Sequence, residues 1–570
     1  MKKIYVVALI VIASIAKQAK AQYTKLLDFA GTTTTTLTAN GQYPLGNLMQ
    51  ASDGMLYGMT YQGGADSMGI LFQYNPATNI LIDMLDFDSI NGKYPFGSLM
   101  QASDGMLYGM TEVGGANNYG VLFQYNPATA TYIDKFDFAA QSTPYGSLPL
   151  GSLMQANDGM MYGMTIIGGT SDKGVIFQYN PATSTYTKKF DFAGTNGQGP
   201  HGSLIQASDG MLYGITGAGG ASGLGVLFQY NPATNTYISM FDFAGTNGQN
   251  PNGSLMQASD GMLYGMTQAG GASNMGVLFQ YNLTTNTYFK MLDFNGTNGQ
   301  NPNGSLMQAN DGMLYGMTAG GGGGGVLFQY NPVTNTLIAN TCFTVVTNGG
   351  SPQGDLMQAS DGMLYGMTSD GGATGLGVLF KFCPPPTVTY TLTADIAPHT
   401  WDAYAAYSPN VVSARWYWGD GKDTMALYPS HTYSVAGTYS ICVAAYSACG
   451  DSAISCQNDA VSRSGNNSPY SSMVYINVLS SHTTGITKMA SSNEVSIYPN
   501  PASSSLQVTL SGNIQNTTLQ ITDMLGNTVK QSILYNPTSI INIADLAEGI
   551  YNISISSNEG VVNKRVVIAR

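Results

Sequence analysis

One phrase, Ser-Asp-Gly-Met-Leu-Tyr-Gly-Met-Thr at Ser52–Thr60, constrains this chain more than any other feature, because it returns six times with small changes. Its aspartates are Asp53, Asp104, Asp158, Asp209, Asp260, Asp311 and Asp361, separated by 51, 54, 51, 51, 51 and 50 residues. A fixed period of this size restricts the chain to an array of like units, each burying its apolar surface against its neighbours.

The unit reads as four short strands. In the fifth copy, Gly253–Ser259 is a short apolar segment and Asp260-Gly261 is a two-residue hairpin signal, whose turn positions both favour positive φ. Met262–Thr267 is a second strand, Gln268–Gly276 a glycine-rich loop, Val277–Tyr281 a third strand and Thr287–Phe294 a fourth. No helical periodicity interrupts them. The Met-Leu-Tyr-Gly-Met strand is apolar on both faces, as a strand sandwiched between neighbouring units must be. Gly265 is expected to admit a bulky ring from the adjoining unit. Four-stranded units repeated about an axis are the blades of a β-propeller.

The count points to closure. Seven copies carry the first three strands, but the seventh ends at Lys381-Phe382-Cys383 and runs into Pro384-Pro385-Pro386 with no fourth strand. The segment Gln22–Gly31 matches the fourth-strand pattern of Thr236–Gly245, so it is expected to complete the last unit. Elements Gly-x-Leu, Asp-Gly-x-Leu-Tyr-Gly-x-Thr, Gly-Gly and Gly-Val-x-Phe recur in this order. Residues 22–383 thereby resemble the GloVer tandem-repeat family and, more loosely, the propeller repeats of two-component regulator sensors. The resemblance implies no activity.

Both ends read as export signals. Met1-Lys2-Lys3, the apolar run Ile4–Ala16 and Ala19-Lys20-Ala21 have the layout of a secretory signal peptide at residues 1–21. After the ring, Arg415-Trp-Tyr-Trp-Gly-Asp-Gly421, Pro429-Ser-His-Thr-Tyr433 and Gly437–Val443 resemble the PKD domain, implying an immunoglobulin-like sandwich within 384–479. Tyr439, Ile441 and Val443 then share one side of a strand, and Asp420 reads as a turn residue because no carboxylate cluster accompanies it. Residues 480–493 are a Ser/Thr-rich linker. Val495–Pro501, Ile521–Asn527, Leu546–Tyr551 and Asn563–Ile568 resemble the type A C-terminal sorting domain of the type IX secretion system, placing that domain at 494–570. This implies Sec export, passage through the type IX machinery as a partner, and release or attachment at the outer-membrane surface. The fold class expected for the whole is all-β: a seven-bladed propeller closed by the N-terminal strand, a PKD sandwich and a small C-terminal sandwich.

Composition narrows the function. Charged residues are 9% of the chain, against roughly 25% in an average domain, and the net charge is −12. With no basic run, a nucleic-acid partner is excluded as an expectation. Four scattered histidines suggest no metal or cofactor site. Of the five cysteines, Cys449 and Cys456 flank a Gly-Asp turn and are expected to bridge.

The seven Asp-Gly pairs read as turn chemistry, and the Met-Leu-Tyr stripe as core. Blade-linking loops and second-to-third-strand loops share one face of a propeller. Asn196, Gln198, Asn247, Gln249, Asn298 and Gln300 in the linking loops are therefore the candidate ligand-binding amides, suited to a glycan. No Ser-His-Asp set or repeated carboxylate pair marks a catalytic site. The first reading is a non-catalytic secreted or surface protein binding glycan or protein through this face. The second is a secreted glycosidase or lyase using non-repeated carboxylates such as Glu112 or Asp172.

Overall fold

A computed structural model describes residues 22–31, 40–139, 145–394 and 399–461 apart from four single positions (409, 436, 448 and 451). Of the C-terminal part it describes 495–498, 502, 504–510, 517–522, 528–534, 538–547, 549–557 and 560–568. The expected signal peptide and the 480–493 linker lie outside the described residues. Among the described residues the architecture is all-β, with one short helix, Val345–Asn348.

Seven four-stranded antiparallel sheets follow one another. The fifth is typical, with strands Met256–Gln257, Leu263–Thr267, Val277–Asn282 and Thr287–Asp293 in that order. The second strand is buried at every position, as its two-sided apolar sequence requires. The seventh sheet takes its fourth strand from the start of the chain: Gln22–Asp28 pairs with Val378–Cys383, Gln22 opposite Cys383 and Asp28 opposite Val378.

Neighbouring sheets share their cores. Tyr57, Met59, Leu71 and Phe87 of the first repeat pack with Leu107, Phe123 and Tyr125 of the second. Leu56, Ile70 and Phe72 of the first pack with Tyr365, Met367 and Leu379 of the seventh and with Phe29. Hydrogen bonds follow the same cycle. The backbone N–H of Asn47 donates to Ser98 Oγ at 2.6 Å, Ser98 to Ser152 at 2.8 Å, Ser152 to Ser203 at 2.8 Å, Ser203 to Ser254 at 2.8 Å and Ser254 to Ser305 at 2.7 Å. Ser305 N–H then donates to Asp355 Oδ1, and Asp355 N–H returns to Asn47 Oδ1. These contacts are close because the preceding residue is always glycine. A Cβ on Gly97 would lie 2.6 Å from the Gly151 carbonyl, and one on Gly354 would lie 2.4 Å from that of Gly46.

Two local expectations are corrected. In the Asp-Gly hairpins only the glycine takes positive φ (Gly54, +81°), and Gly54 N–H donates to Ala51 C=O at 2.9 Å. The aspartate stays on the ordinary side because its carboxylate is tied to the following strand. The space left by Gly265 is filled from within its own sheet, by Phe279 directly across the ladder, rather than by the adjoining sheet.

Beyond Pro384–Pro386 two further sheets form. One orders Val388–Ala394, Thr400–Tyr407 and Ser430–Thr432. The other orders Asp423–Met425, Val411–Tyr417, Gly437–Ser447 and Ser452–Val461. They share a core of Tyr390, Trp416, Trp418, Tyr433, Ile441 and Val443, with Tyr439 packed against it. Asp420 accepts the Lys422 N–H at 3.1 Å and pairs with His431 Nε2 at 2.9 Å, so it closes a turn.

The expected Cys449–Cys456 bridge is not the one formed. Cys442 and Cys456 face each other across adjacent strands and are bonded. Cys449, in the turn between those strands, bonds Cys383 at the end of the seventh sheet. Strand register puts Cys456 opposite Cys442 and leaves Cys449 pointing outward to another partner. Cys342 is free and exposed.

A second compact unit spans Asn467–Arg570. Among its described residues, Val495–Tyr498, Ser505–Leu510 and Thr538–Asn542 form one sheet. Thr528–Leu534, Thr517–Thr522, Gly549–Ser557 and Gly560–Ile568 form another. Leu506, Val508, Leu519, Ile521, Ile553 and Ile568 are in its core.

Candidate functional site

The most repeated residues are structural. In the first copy Asp53 Oδ1 accepts the Met55 N–H at 2.9 Å and Oδ2 accepts the Tyr57 hydroxyl at 2.8 Å. Gln73 Nε2 donates to that same hydroxyl at 2.6 Å. The aspartate–tyrosine pair recurs in every copy, from Asp104–Tyr108 to Asp361–Tyr365. A carboxylate so engaged has little capacity left for a ligand.

At the other end of the sheets the linking loops meet the second-to-third-strand loops. Gln198, Gln249 and Gln300 pair through their backbones with Ala218, Ala269 and Gly320, which sews the two loops together. The side chains of Asn196, Asn247 and Asn298 turn inward and accept the N–H groups of Ala193 (2.7 Å), Ala244 (2.7 Å) and Asn295 (2.9 Å). Their amides hold the turns. The Gln249 side chain donates to Asn274 at 3.2 Å, while Gln198 lines an open cleft. Three of the six expected ligand amides are thus turn-closing, and Gln198 faces an open cleft.

The residues that reach the mouth are those on which the copies disagree. Seven equivalent positions hold left-handed backbone: Tyr43 (φ 55°), Tyr94 (59°), Leu148 (54°), Gly199 (58°), Asn250 (53°), Asn301 (52°) and Ser351 (49°). Glycine and asparagine suit this conformation, whereas bulky side chains pay about 1–3 kcal/mol for it. Two positions further on, Leu45, Phe96 and Leu150 line a shared opening on one side. Asn252, Asn303 and Gln353 line it on the other, with His201 between.

The mouth is therefore divided. On one arc Tyr61 stacks on Tyr94 with ring centroids 5.1 Å apart and meets Phe96 edge-on at 6.4 Å. Lys93 Nζ lies 5.9 Å from the Tyr94 ring. The Tyr61 hydroxyl donates to Glu112 Oε2 at 3.0 Å. Burial raises the Glu112 carboxyl above its usual range; burial and the Glu112 charge push Tyr61 up to about 12. On the other arc Asn303 Nδ2 donates to Gln353 Oε1 at 2.7 Å and Asn301 Nδ2 to the Gln268 carbonyl at 3.1 Å. Below the opening, burial raises the Asp355 carboxyl, which accepts Asn47 Nδ2 at 2.6 Å.

The fourth repeat borders an open cleft. Gly199 and Gly217 border a cleft of about 520 Å³, also lined by Ile166, Ile167, Gln198, His201, Asn250 and Asn252. Asp172 and Lys173 stand at this cleft too, and Asp172 Oδ1 accepts the Gly168 N–H at 2.8 Å. Glu112 does not line the cleft. Among the described residues no three His, Cys, Asp or Glu side chains converge on a metal-sized site, and no helix is long and apolar enough to cross a membrane.

Two family models match the chain. The Gloeobacter/Verrucomicrobia repeat matches residues 12–149, 135–289 and 256–419, and the secretion system C-terminal sorting domain matches residues 496–569. No curated protein matches by sequence. Among solved structures, the extracellular domain assigned to the one component system BT4673 of B. thetaiotaomicron is 12% identical with a TM-score of 0.43, covering 77% of this chain and 58% of that one. PorZ, a surface component of the type-IX secretion system of Porphyromonas gingivalis, is 13% identical with a TM-score of 0.40, covering 93% and 60%. The chain thus spans about three fifths of the length of both, 58% and 60%. The PKD1 domain of the Vibrio cholerae metalloprotease PrtV is 25% identical with a TM-score of 0.13, covering 14% of this chain and 98% of that domain. The sorting domain directs the protein to the cell surface or extracellular space and implies engagement of the type IX secretion machinery. The chain belongs to the Gloeobacter/Verrucomicrobia repeat family, whose model matches it three times between residues 12 and 419, and it ends in a secretion system C-terminal sorting domain.

Proposed function

We propose that this secreted surface protein binds a glycan, without turning it over, at the mouth where the linking loops meet. In this reading residues 22–383 are a seven-bladed β-propeller closed by the N-terminal strand. Residues 384–479 are a PKD module, 480–493 a linker and 494–570 the sorting domain, with residues 1–21 a signal peptide. The cyclic hydrogen bonding from Asn47 through Asp355 back to Asn47 supports the propeller.

The observation that carries the binding proposal is the divided mouth: stacked Tyr61 and Tyr94 on one arc, Asn252, Asn303 and Gln353 on the other. Asparagine and glutamine amides donate and accept at once, which matches neighbouring sugar hydroxyls. An aromatic face covers the apolar C–H side of a sugar ring. Tyr43 and Tyr94 hold positive φ where glycine or asparagine would be unstrained, and strain of this kind concentrates at functional sites. Glu112 is bonded to Tyr61 and Asp172 to its own loop, so neither has the free, facing partner that glycoside hydrolysis requires.

A glycan array probed with the mature protein, alongside an assay for released sugar, tests the proposal. Binding without release is expected. Sugar release abolished by Glu112→Gln or Asp172→Asn would establish the enzymatic reading instead.

A further inference from the structure

Each repeat offers the mouth two side chains at fixed positions, one in the linking loop and one just after the second strand. The fifth repeat has Asn250 and Gln268, and the second has Tyr94 and Glu112. The fourth has glycine at both, Gly199 and Gly217. A Cβ built on Gly199 meets nothing within 4 Å, so the missing side chain leaves open space. The resulting cleft of about 520 Å³ is within the range of small-ligand sites, roughly 300–1,000 Å³.

Its chemistry is specific. Gln198, Asn250 and Asn252 present amides, and Ile166 adds an apolar wall. The charges at its border, Asp172 and Lys173, are opposite and adjacent in sequence, so the lining carries no net charge. Burial holds His201 below the usual imidazole range, so it faces the cleft as a neutral ring with one donor and one acceptor.

We infer that the double-glycine notch of the fourth repeat is an end pocket for the terminal residue of a neutral glycan, with Gln198, Asn250, Asn252 and His201 binding its hydroxyls. The inference rests on the glycan reading of the loop face and adds where the chain end sits and that it is uncharged. An acidic sugar is disfavoured because the lining holds one cation, Lys173, and one anion, Asp172, and so has no net positive charge, while the chain as a whole carries a charge of −12.

The test transplants the fifth repeat's residues into the fourth, as Gly199→Asn with Gly217→Gln. Asn250 holds φ 53° where Gly199 holds 58°, so the backbone accepts asparagine at that position, whereas a Cβ on Gly217 would lie 3.3 Å from the Gly199 carbonyl oxygen, so Gly199→Asn is also measured alone. The probe is the neutral oligosaccharide bound most strongly by the wild-type protein on the array, titrated by calorimetry with the free monosaccharide of its terminal residue as competitor. The expected result is a loss of affinity of about tenfold or more with an unchanged melting temperature, and loss of competition by the monosaccharide. His201→Gln, measured in parallel, is expected to weaken binding in the same direction and stands in if the double variant does not fold. Unchanged affinity in a folded variant overturns the end pocket and leaves the loop-face reading intact. A best ligand that is acidic overturns the neutral assignment, and a wild-type protein that binds no glycan overturns both readings.

Discussion

Asp53 receives the Tyr57 hydroxyl at 2.8 Å while its other carboxylate oxygen holds the Met55 N–H at 2.9 Å. Seven such clamps fasten each Asp-Gly turn to the strand that follows it. The phrase that reads in the sequence as turn chemistry is thus also the means by which a two-residue first strand is kept in register.

Removing one clamp measures its strength. Tyr264→Phe deletes the hydroxyl shared by Asp260 at 2.8 Å and Gln280 at 2.6 Å. A loss of about 1–3 kcal/mol is expected by urea denaturation, since one partner is charged and both are left unmatched. The loop face lies at the other end of the sheet, so ligand binding should be unchanged.

The N-terminal strand gives a larger effect. Tyr23 donates to the Asn348 carbonyl at 2.6 Å and packs on Phe380 at 5.0 Å between ring centroids, and Phe29 is buried between the first and seventh sheets. Deleting Tyr23–Phe29 exposes a sheet edge and the core beneath it. A sharp fall in melting temperature by calorimetry is expected, and an unchanged value would defeat closure by this strand.

A pH dependence follows from the outer strands. Lys25, Lys188 and Lys290 each pair with the aspartate three residues on, Asp28, Asp191 and Asp293. The first repeat has Asp83 in the lysine position. Burial and the neighbouring Asp86 push its carboxyl up to about 6. A folded-state value above the unfolded one means that the folded state binds the proton more tightly. Stability from this group is full below about pH 4 and is lost as pH rises through 6. Asp83→Lys should remove that decline and raise the melting temperature at pH 7 above wild type. The expected gain is small, about 1 kcal/mol or less, as for other partly exposed pairs.

Asn303 tests the amide arc. Asn303→Ala breaks its 2.7 Å bond to Gln353 and removes one side chain from the opening. Glycan affinity should fall by about tenfold with stability unchanged, because the lost bond is at the solvent-filled mouth. An equal loss of stability would assign the residue a structural role.

The disulfide pattern is checked by mass spectrometry of a non-reduced digest, which should yield Cys383–Cys449 and Cys442–Cys456 peptides. Replacing Cys449 and Cys383 together by serine is expected to cost about 2–5 kcal/mol.

How far the sequence was legible depended on how local each feature was. The four-stranded unit, its turn and the pairing of Gln22–Asp28 with the seventh sheet follow from the repeat count, because every incomplete unit must find its missing strand. The candidate site was less legible. Asn196, Asn247 and Asn298 recur because they close turns, and recurrence masked that role. Tyr61, Tyr94 and Phe96 lie 33 and 35 residues apart along the chain yet touch in space, so only the fold brings them together. The available signal was disagreement between copies at one register position, Tyr94 against Asn250 against Gly199.

By itself the sequence determined the all-β repeat, its period and the export signal at its C-terminal end, since periodicity, turn chemistry and the sorting phrases are written in consecutive residues. The tertiary structure decided which cysteines pair, which asparagines are engaged in turns and which side chains share the mouth. Those outcomes depend on distances across sheets and between repeats, and a distance between residues far apart in the chain is a property of packing rather than of any local phrase.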